Sequence, residues 1–323
     1  MTKPKRIFML GATGTIGRAT LHALLAEGHE VVCFLRDPAK SRHSFLSGAE
    51  LRFGNLLDPA SLERDGLRGE RFDAIISTLA SRTGVPRDAW AIDYQAHAHL
   101  LRFAQELQIP QMVLLSAICV QKPVLAFQHA KLRFEQELIA SGLIYSIVRP
   151  TAYFKSLSGQ LERLRAGKPY LIFGDGHLTS CKPISDRDLA DYIVDCLTDE
   201  TRWNKTLPIG GPGEALTPRA QGELIFAALG MEPKFRSVPL GFLKFVRLLL
   251  SALGHFNQKL ADKAELARIG LYYASESMLV LNPATGRYDA QLTPSTGRDT
   301  LAQHYACMVS GEIGDDRRDH AVF

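Results

Sequence analysis

The sequence predicts an α/β protein: a doubly wound, mostly parallel sheet with an interleaved, smaller C-terminal part. Three observations predict it. Short apolar, β-branched runs alternate with helical patterns through the first 150 residues. Gly11, Gly14 and Gly17 fall between the first of these strands and the first helix. After Pro150 the alternation gives way to an irregular stretch carrying Gly174, Gly176 and Pro183.

Taken in order, the expected strands are Arg6–Leu10, Val31–Leu35, Glu50–Phe53, Ala74–Thr78, Met112–Ser116 and Tyr145–Val148. Runs such as Ala74-Ile75-Ile76 do not alternate, as befits strands covered on both faces. Between them, Ile16–Leu25, Tyr94–Leu107 and Lys131–Ala140 repeat apolar residues at helical spacing. Gly28 and Gly142 stand where helices end, each just before a strand. Further on, helices are expected over Leu157–Ala166 and Asp186–Leu197. The run Leu207–Gly211 is expected to return to the sheet. The boundary is therefore drawn at 150, with residues 151–323 forming the second part.

Composition bounds the function. A chain of 323 residues with 46% hydrophobic and 22% charged residues is ordinary and globular, which excludes disordered and fibrous classes. The net charge of +4 comes without a dense Lys/Arg run, so no nucleic-acid partner is expected. Five dispersed cysteines show no zinc spacing, and no protein metal site is expected. The first strand begins at Arg6, leaving no room for a leader segment, so a cytoplasmic location is expected.

The segment Gly11-Ala12-Thr13-Gly14-Thr15-Ile16-Gly17 is a phosphate-binding turn of Rossmann type. The first glycine allows the turn, the second admits a pyrophosphate to the backbone, and the third lets helix and strand pack closely. The helix start then offers free N–H groups and the positive end of its dipole. At the end of the second strand an acidic residue would hold the ribose hydroxyls of NAD. Here Arg36 comes first and Asp37 second. A guanidinium suits a 2′-phosphate, so NADPH is the expected cofactor.

These residues, with Gly54-Asn55-Leu56-Leu57-Asp58 after the third strand, resemble the short-chain dehydrogenase/reductase superfamily in its extended or atypical branch. The resemblance implies that Asn55 and Leu56 lie beside the adenine, with Asn55 where Asp is commoner. Ser116, Arg149-Pro150 and Pro183–Ala190 match as well, with Pro150 on the cofactor's path. The superfamily's Tyr-x-x-x-Lys appears as Phe127-Gln128-His129-Ala130-Lys131: the lysine is present and the tyrosine is not. Lys131 is implied to bind the nicotinamide ribose. Phe127 cannot donate a proton, so either something other than a ketone is reduced or the protein is not an enzyme.

The C-terminal half resembles one family within that branch. Gly167–Gly176, Leu207–Gly213, Gly270–Met278 and Thr293–Asp299 are similar to divinyl chlorophyllide (or protochlorophyllide) 8-vinyl reductases. The resemblance runs from about Lys5 to Ala306. It implies NADPH-dependent reduction of a C8 vinyl group to ethyl, in chlorophyll or bacteriochlorophyll biosynthesis in a photosynthetic bacterium. The substrate would be a tetrapyrrole that brings its own magnesium. The competing reading is a non-catalytic NADP(H)-binding sensor or assembly factor.

Reduction of a conjugated vinyl leaves charge spread over a macrocycle, which needs less help from a local acid than an alkoxide does. Lys131, Ser116 and Tyr153 are the catalytic candidates; for the proton, Ser116, Tyr153, His129 and water stay open. Tyr153, Phe154, Tyr170, Phe173, Phe242 and Phe245 are candidate pigment-lining residues, with plain core as the alternative. Lys155 and Arg163 are candidates for the pigment's carboxylates. Val238–Phe256 reads as a helix with Lys244, Arg247 and Ser251 on one narrow face. Burial, a pigment lid and peripheral membrane contact are its three open readings, and the oligomeric state is open too.

Overall fold

The computed structural model describes residues 3–39, 43–254 and 257–313. The chain divides into two compact units. The first comprises residues 1–81, 86–150 and 186–207; the second comprises 82–85, 151–185 and 208–323. Asp186–Leu207 thus belongs with the first unit, although a cut at 150 assigns it to the second part.

The six strands expected in the first half are β1 (Arg6–Leu10), β2 (Glu30–Leu35), β3 (Glu50–Phe53), β4 (Ala74–Ser77), β5 (Gln111–Leu115) and β6 (Ile144–Pro150). Tyr170–Phe173 is β7, and the returning strand is β8 (Lys205–Ile209). Seven of them form one sheet in the order β3-β2-β1-β4-β5-β6-β8. The pairs β1/β2, β2/β3, β1/β4, β4/β5 and β5/β6 are parallel. From β1 the chain winds outward to β3 and then crosses back to β4. The order therefore reverses between β1 and β4, and ligands bind beyond the strand ends at such a point.

Local sequence explains how the elements meet. The helix Thr15–Ala26 buries Ile16, Gly17, Thr20, Leu21 and Leu24, the face predicted by a 3.6 repeat. It stops at Glu27, followed by Gly28 at φ +82°, a left-handed turn that costs glycine little. The helix Asp186–Asp195 packs against it. On the sheet's core, Phe8, Leu10, Val32, Phe34, Ile75, Met112, Leu114 and Ile147 cluster with Leu100, Phe103, Phe134 and Leu138 from helices.

Two helices differ from expectation. The pattern read as one helix over Tyr94–Leu107 begins at Pro86 and passes through a wide π segment, Trp90–Ala96, before His97–Glu106. The stretch 157–166 splits into Phe154–Leu157 and Leu161–Arg165. The break follows from side-chain competition: Ser158 Oγ donates to Phe154 O, and the Gln160 amide bonds both backbone groups of Leu171.

The second unit has its own core of Phe154, Leu161, Leu164, Tyr170, Ile172, Ile225, Phe226, Leu301, Tyr305 and Met308. Strand β7 pairs in parallel with β9 (Phe235–Val238). A hairpin joins β10 (Val280–Asn282) to β11 (Arg287–Asp289). Helices Leu240–Gly254 and Gln258–Ser275 pack against each other. Among the pigment-lining candidates, Phe154 and Tyr170 are buried core; Phe173 is half-buried; Phe245 is exposed; the side chain of Phe242 lies outside the described residues, and so does Phe256, the expected end of the helix over 238–256.

Candidate cofactor and reaction site

The turn after β1 makes the first half of the site. Gly11 adopts φ +82°, and a Cβ there would fall 2.6 Å from Thr78 C. A Cβ on Gly17 would fall 2.0 Å from Gly11 O, so strand and helix can approach only without side chains. Gly14 differs: its Cβ would meet nothing closer than Gly11 O at 3.5 Å. Packing therefore explains glycine at 11 and 17. At 14 the space beside the backbone is open, which is what a close-lying phosphate requires.

Gly14 is also the N-cap of the helix Thr15–Ala26, with no side-chain cap and no acidic residue in the first turn. Its leading N–H groups thus face no competing carboxylate. Arg18, one turn in, donates from Nε to Thr13 O and stacks its guanidinium 4.5 Å over Phe45. Arg36 is exposed immediately beyond β2. Asn55 is exposed too, and its Oδ1 accepts from Leu57 N–H in a local turn, while Leu56 is half-buried.

The second half of the site is a buried polar chain. Lys131 Nζ lies 3.0 Å from Asp93 Oδ1, an oxygen that also accepts from Ser81 N–H at 3.1 Å. Asp93 Oδ2 is buried and has no partner among the described residues. One turn after Asp93 is His97, whose Nδ1 lies 2.9 Å from Ile92 O and whose Nε2 lies 2.7 Å from Ser77 Oγ. Ile92 O can only accept, so Nδ1 carries the proton and Nε2 accepts from the serine. Burial pushes the His97 pKa down to about 4; the Lys131 cation adds to the shift and the Asp93 carboxylate opposes it. At neutral pH this histidine is uncharged.

The lysine is fixed through its own helix. Gln128 Oε1 accepts from the N–H groups of Val124 and Leu125, and its Nε2 donates to Cys119 O, which locks the start of Ala126–Ala140. Glu135 pairs with Arg149 on β6 and ties the same helix to the sheet. Phe134 packs its ring 4.9 Å from that of His97. Phe127 is buried, whereas His129 is exposed.

Ser116 follows β5 and bonds Val148 O through its N–H, while its Oγ is buried without a partner among the described residues. Pro150 ends β6. Tyr153 belongs to the second unit, where it is half-buried and bridged through its backbone to Ile184. Of the sequence candidates, Lys131 lies in this buried polar chain and Ser116 presents a buried hydroxyl, while Asp93, His97, Ser77 and Gln128 were not among the candidates. An Asp and a His four residues apart, and so on one face of the helix, were the available signal.

A family model described as NAD(P)H-binding matches residues 11–200, more than half of the chain. The divinyl chlorophyllide a 8-vinyl-reductase of Zea mays is 46% identical over 331 aligned positions, covering 98% of this chain and 82% of the maize protein. The chain belongs to that family. The photosystem II assembly factor Ycf39 of Guillardia theta is a more distant relative, 27% identical over 75% of this chain and 76% of its own. Among solved structures, an NADPH-dependent quinone oxidoreductase of Escherichia coli superposes with a TM-score of 0.67 at 17% identity, over 93% of this chain and 98% of that one. At that identity the likeness shows the shared fold. This member of the vinyl-reductase family therefore carries a nicotinamide-binding sheet, with Lys131 at the lysine position expected from the sequence and Phe127 where a tyrosine was expected.

Proposed function

We propose that this chain is an NADPH-dependent reductase that converts the C8 vinyl group of divinyl chlorophyllide, or of its protochlorophyllide counterpart, to ethyl. The observation that carries the reading is the 46% identity to a named vinyl reductase along 98% of the chain. Reduced nicotinamide, when bound, supplies a hydride; the residues described here supply the rest.

The open space at Gly14 and the uncapped helix start fit a pyrophosphate. Arg36 fits the 2′-phosphate that distinguishes NADPH. Lys131 spends one of its three donors on Asp93, which leaves two for ribose hydroxyls. Asp93 compensates the buried ammonium and holds its direction, so the lysine works as an orienting donor. Ser116 Oγ, buried and unpartnered among the described residues, is free for substrate or for a proton relay. Tyr153, His129 and water are the other routes for the proton. Phe127 places an apolar ring where a ketone reductase needs an acid, which agrees with a product charge delocalised over a macrocycle.

The test mixes protein, NADPH and 3,8-divinyl chlorophyllide. A blue-shifted Soret band, appearing as NADPH is consumed, supports the reductase. Intact NADPH binding without the shift favours the second reading, a cofactor-binding assembly factor, for which the Ycf39 relationship speaks.

A further inference from the structure

The helix Leu240–Gly254 packs against Gln258–Ser275, with close contact near the end of the first. A Cβ on Gly254 would fall 2.9 Å from Ala261 Cα, and Asn257 caps the second helix by accepting from Lys259 N–H. What the first helix leaves outward contradicts the buried-helix reading. Phe245, Leu248 and Leu249 are 63%, 64% and 50% exposed, the largest values among the exposed large hydrophobics of the described residues. At positions i, i+3 and i+4 they form one apolar facet. Lys244 and Ser251, both exposed, border it along one side with the half-buried Arg247.

Charge is concentrated in the same stretch of sequence. Residues 234–263 contain six Lys or Arg and one acidic residue, Asp262, a net +5. The whole chain carries +4, so everything outside this stretch sums to −1. None of the six basic side chains makes an ion pair with the described residues, and five of them are exposed. A facet that is both apolar and unneutralised calls for an occupant that is apolar and anionic at once. A second copy would bring the same +5 against its own, which disfavours self-association through this face. No helix among the described residues is long and apolar enough to cross a bilayer, so the element lies on a surface rather than through it.

We propose that the outer face of Leu240–Gly254 is a peripheral docking surface for an anionic lipid bilayer. Phe245, Leu248 and Leu249 enter the boundary between headgroups and acyl chains; Lys244, Arg247 and Lys259 meet the phosphates. The proposal is independent of the reductase reading, because its test measures partition into lipid and no turnover.

The full chain is sedimented with phosphatidylcholine vesicles, with or without an equal share of phosphatidylglycerol. Binding is expected to the mixed vesicles only and to weaken at least tenfold in high salt. The double variant Phe245→Ser, Leu248→Ser removes exposed groups, so its unfolding transition should match the wild type while partition falls at least tenfold. Lys244→Glu with Arg247→Glu should lower it as much. As a second readout, Phe245→Trp is expected to shift its emission to the blue with mixed vesicles. Equal binding to neutral vesicles, wild-type partition by both double variants, or concentration-dependent self-association without lipid binding would each overturn the proposal.

Discussion

His97 gives the buried polar chain a measurable pH signature. Its imidazole titrates near 4 in the folded protein, against 6.5 for the unperturbed side chain. Between those values only the unfolded chain takes up the proton, so the folded state loses stability as pH falls. The contribution is fully present above about 6.5 and vanishes progressively toward about 4. Linkage puts the loss at about 2 kcal/mol by pH 5 and about 3 kcal/mol by pH 4. His97→Gln retains a donor for Ile92 O and an acceptor for Ser77 Oγ but cannot titrate. It should be less stable at pH 7, because the packing on Phe134 is lost, yet also less sensitive to acid. Both tryptophans, Trp90 and Trp203, lie in the first unit, so urea unfolding followed by tryptophan fluorescence reports that unit. The pH 7 to pH 5 difference in unfolding free energy should be about 2 kcal/mol larger for the wild type. Other titrating groups contribute to both proteins and cancel. Identical pH dependence in the two would refute a buried, neutral His97.

The remaining tests address the cofactor and the reaction. Gly14→Ala should fold normally, since its Cβ meets only an ordinary contact, while NADPH affinity measured by calorimetry falls about a hundredfold, ~2.7 kcal/mol. Gly17→Ala should instead lower thermal stability without ligand, because its Cβ would lie 2.0 Å from Gly11 O. Arg36→Ala should raise KM for NADPH by tenfold or more and leave KM for NADH little changed; equal effects would dismiss its 2′-phosphate role. Asp93→Asn should destabilise the protein by about 3 kcal/mol, because Lys131 is left buried without its counter-charge. Lys131→Ala should lose most turnover at saturating NADPH; wild-type turnover would end the orienting role. Comparing Ser116→Ala with Tyr153→Phe by solvent isotope effect on kcat identifies the proton route.

Much of the first unit was readable because its physics is local. A strand covered on both faces writes an unbroken apolar run, and a turn that must approach a helix writes glycine. That is why β1 to β6 fell within two residues of expectation. The π segment Trp90–Ala96 was not readable: its widened turn reflects packing, and its apolar spacing imitates an ordinary helix. Lys131 was legible through its spacing from Phe127, and Ser116 through the strand it follows. Asp93 and Ser77 were not, since their partners are 38 and 20 residues away in the chain. The aromatic candidates kept two readings, pigment wall and plain core, for a related reason. Phe154 and Tyr170 have the composition of a pigment wall, but they fill a core with Phe226 and Tyr305.

The +5 held by residues 234–263 against −1 elsewhere makes the chain electrically lopsided. A segment charged in this way is attracted to an anionic plane before its apolar side chains touch it. At physiological salt that attraction acts within about 8 Å, so arrival slows as salt rises. Departure depends instead on how much apolar surface has been withdrawn from water. Encounter and residence are thus set by different side chains of one segment, and can be tuned separately.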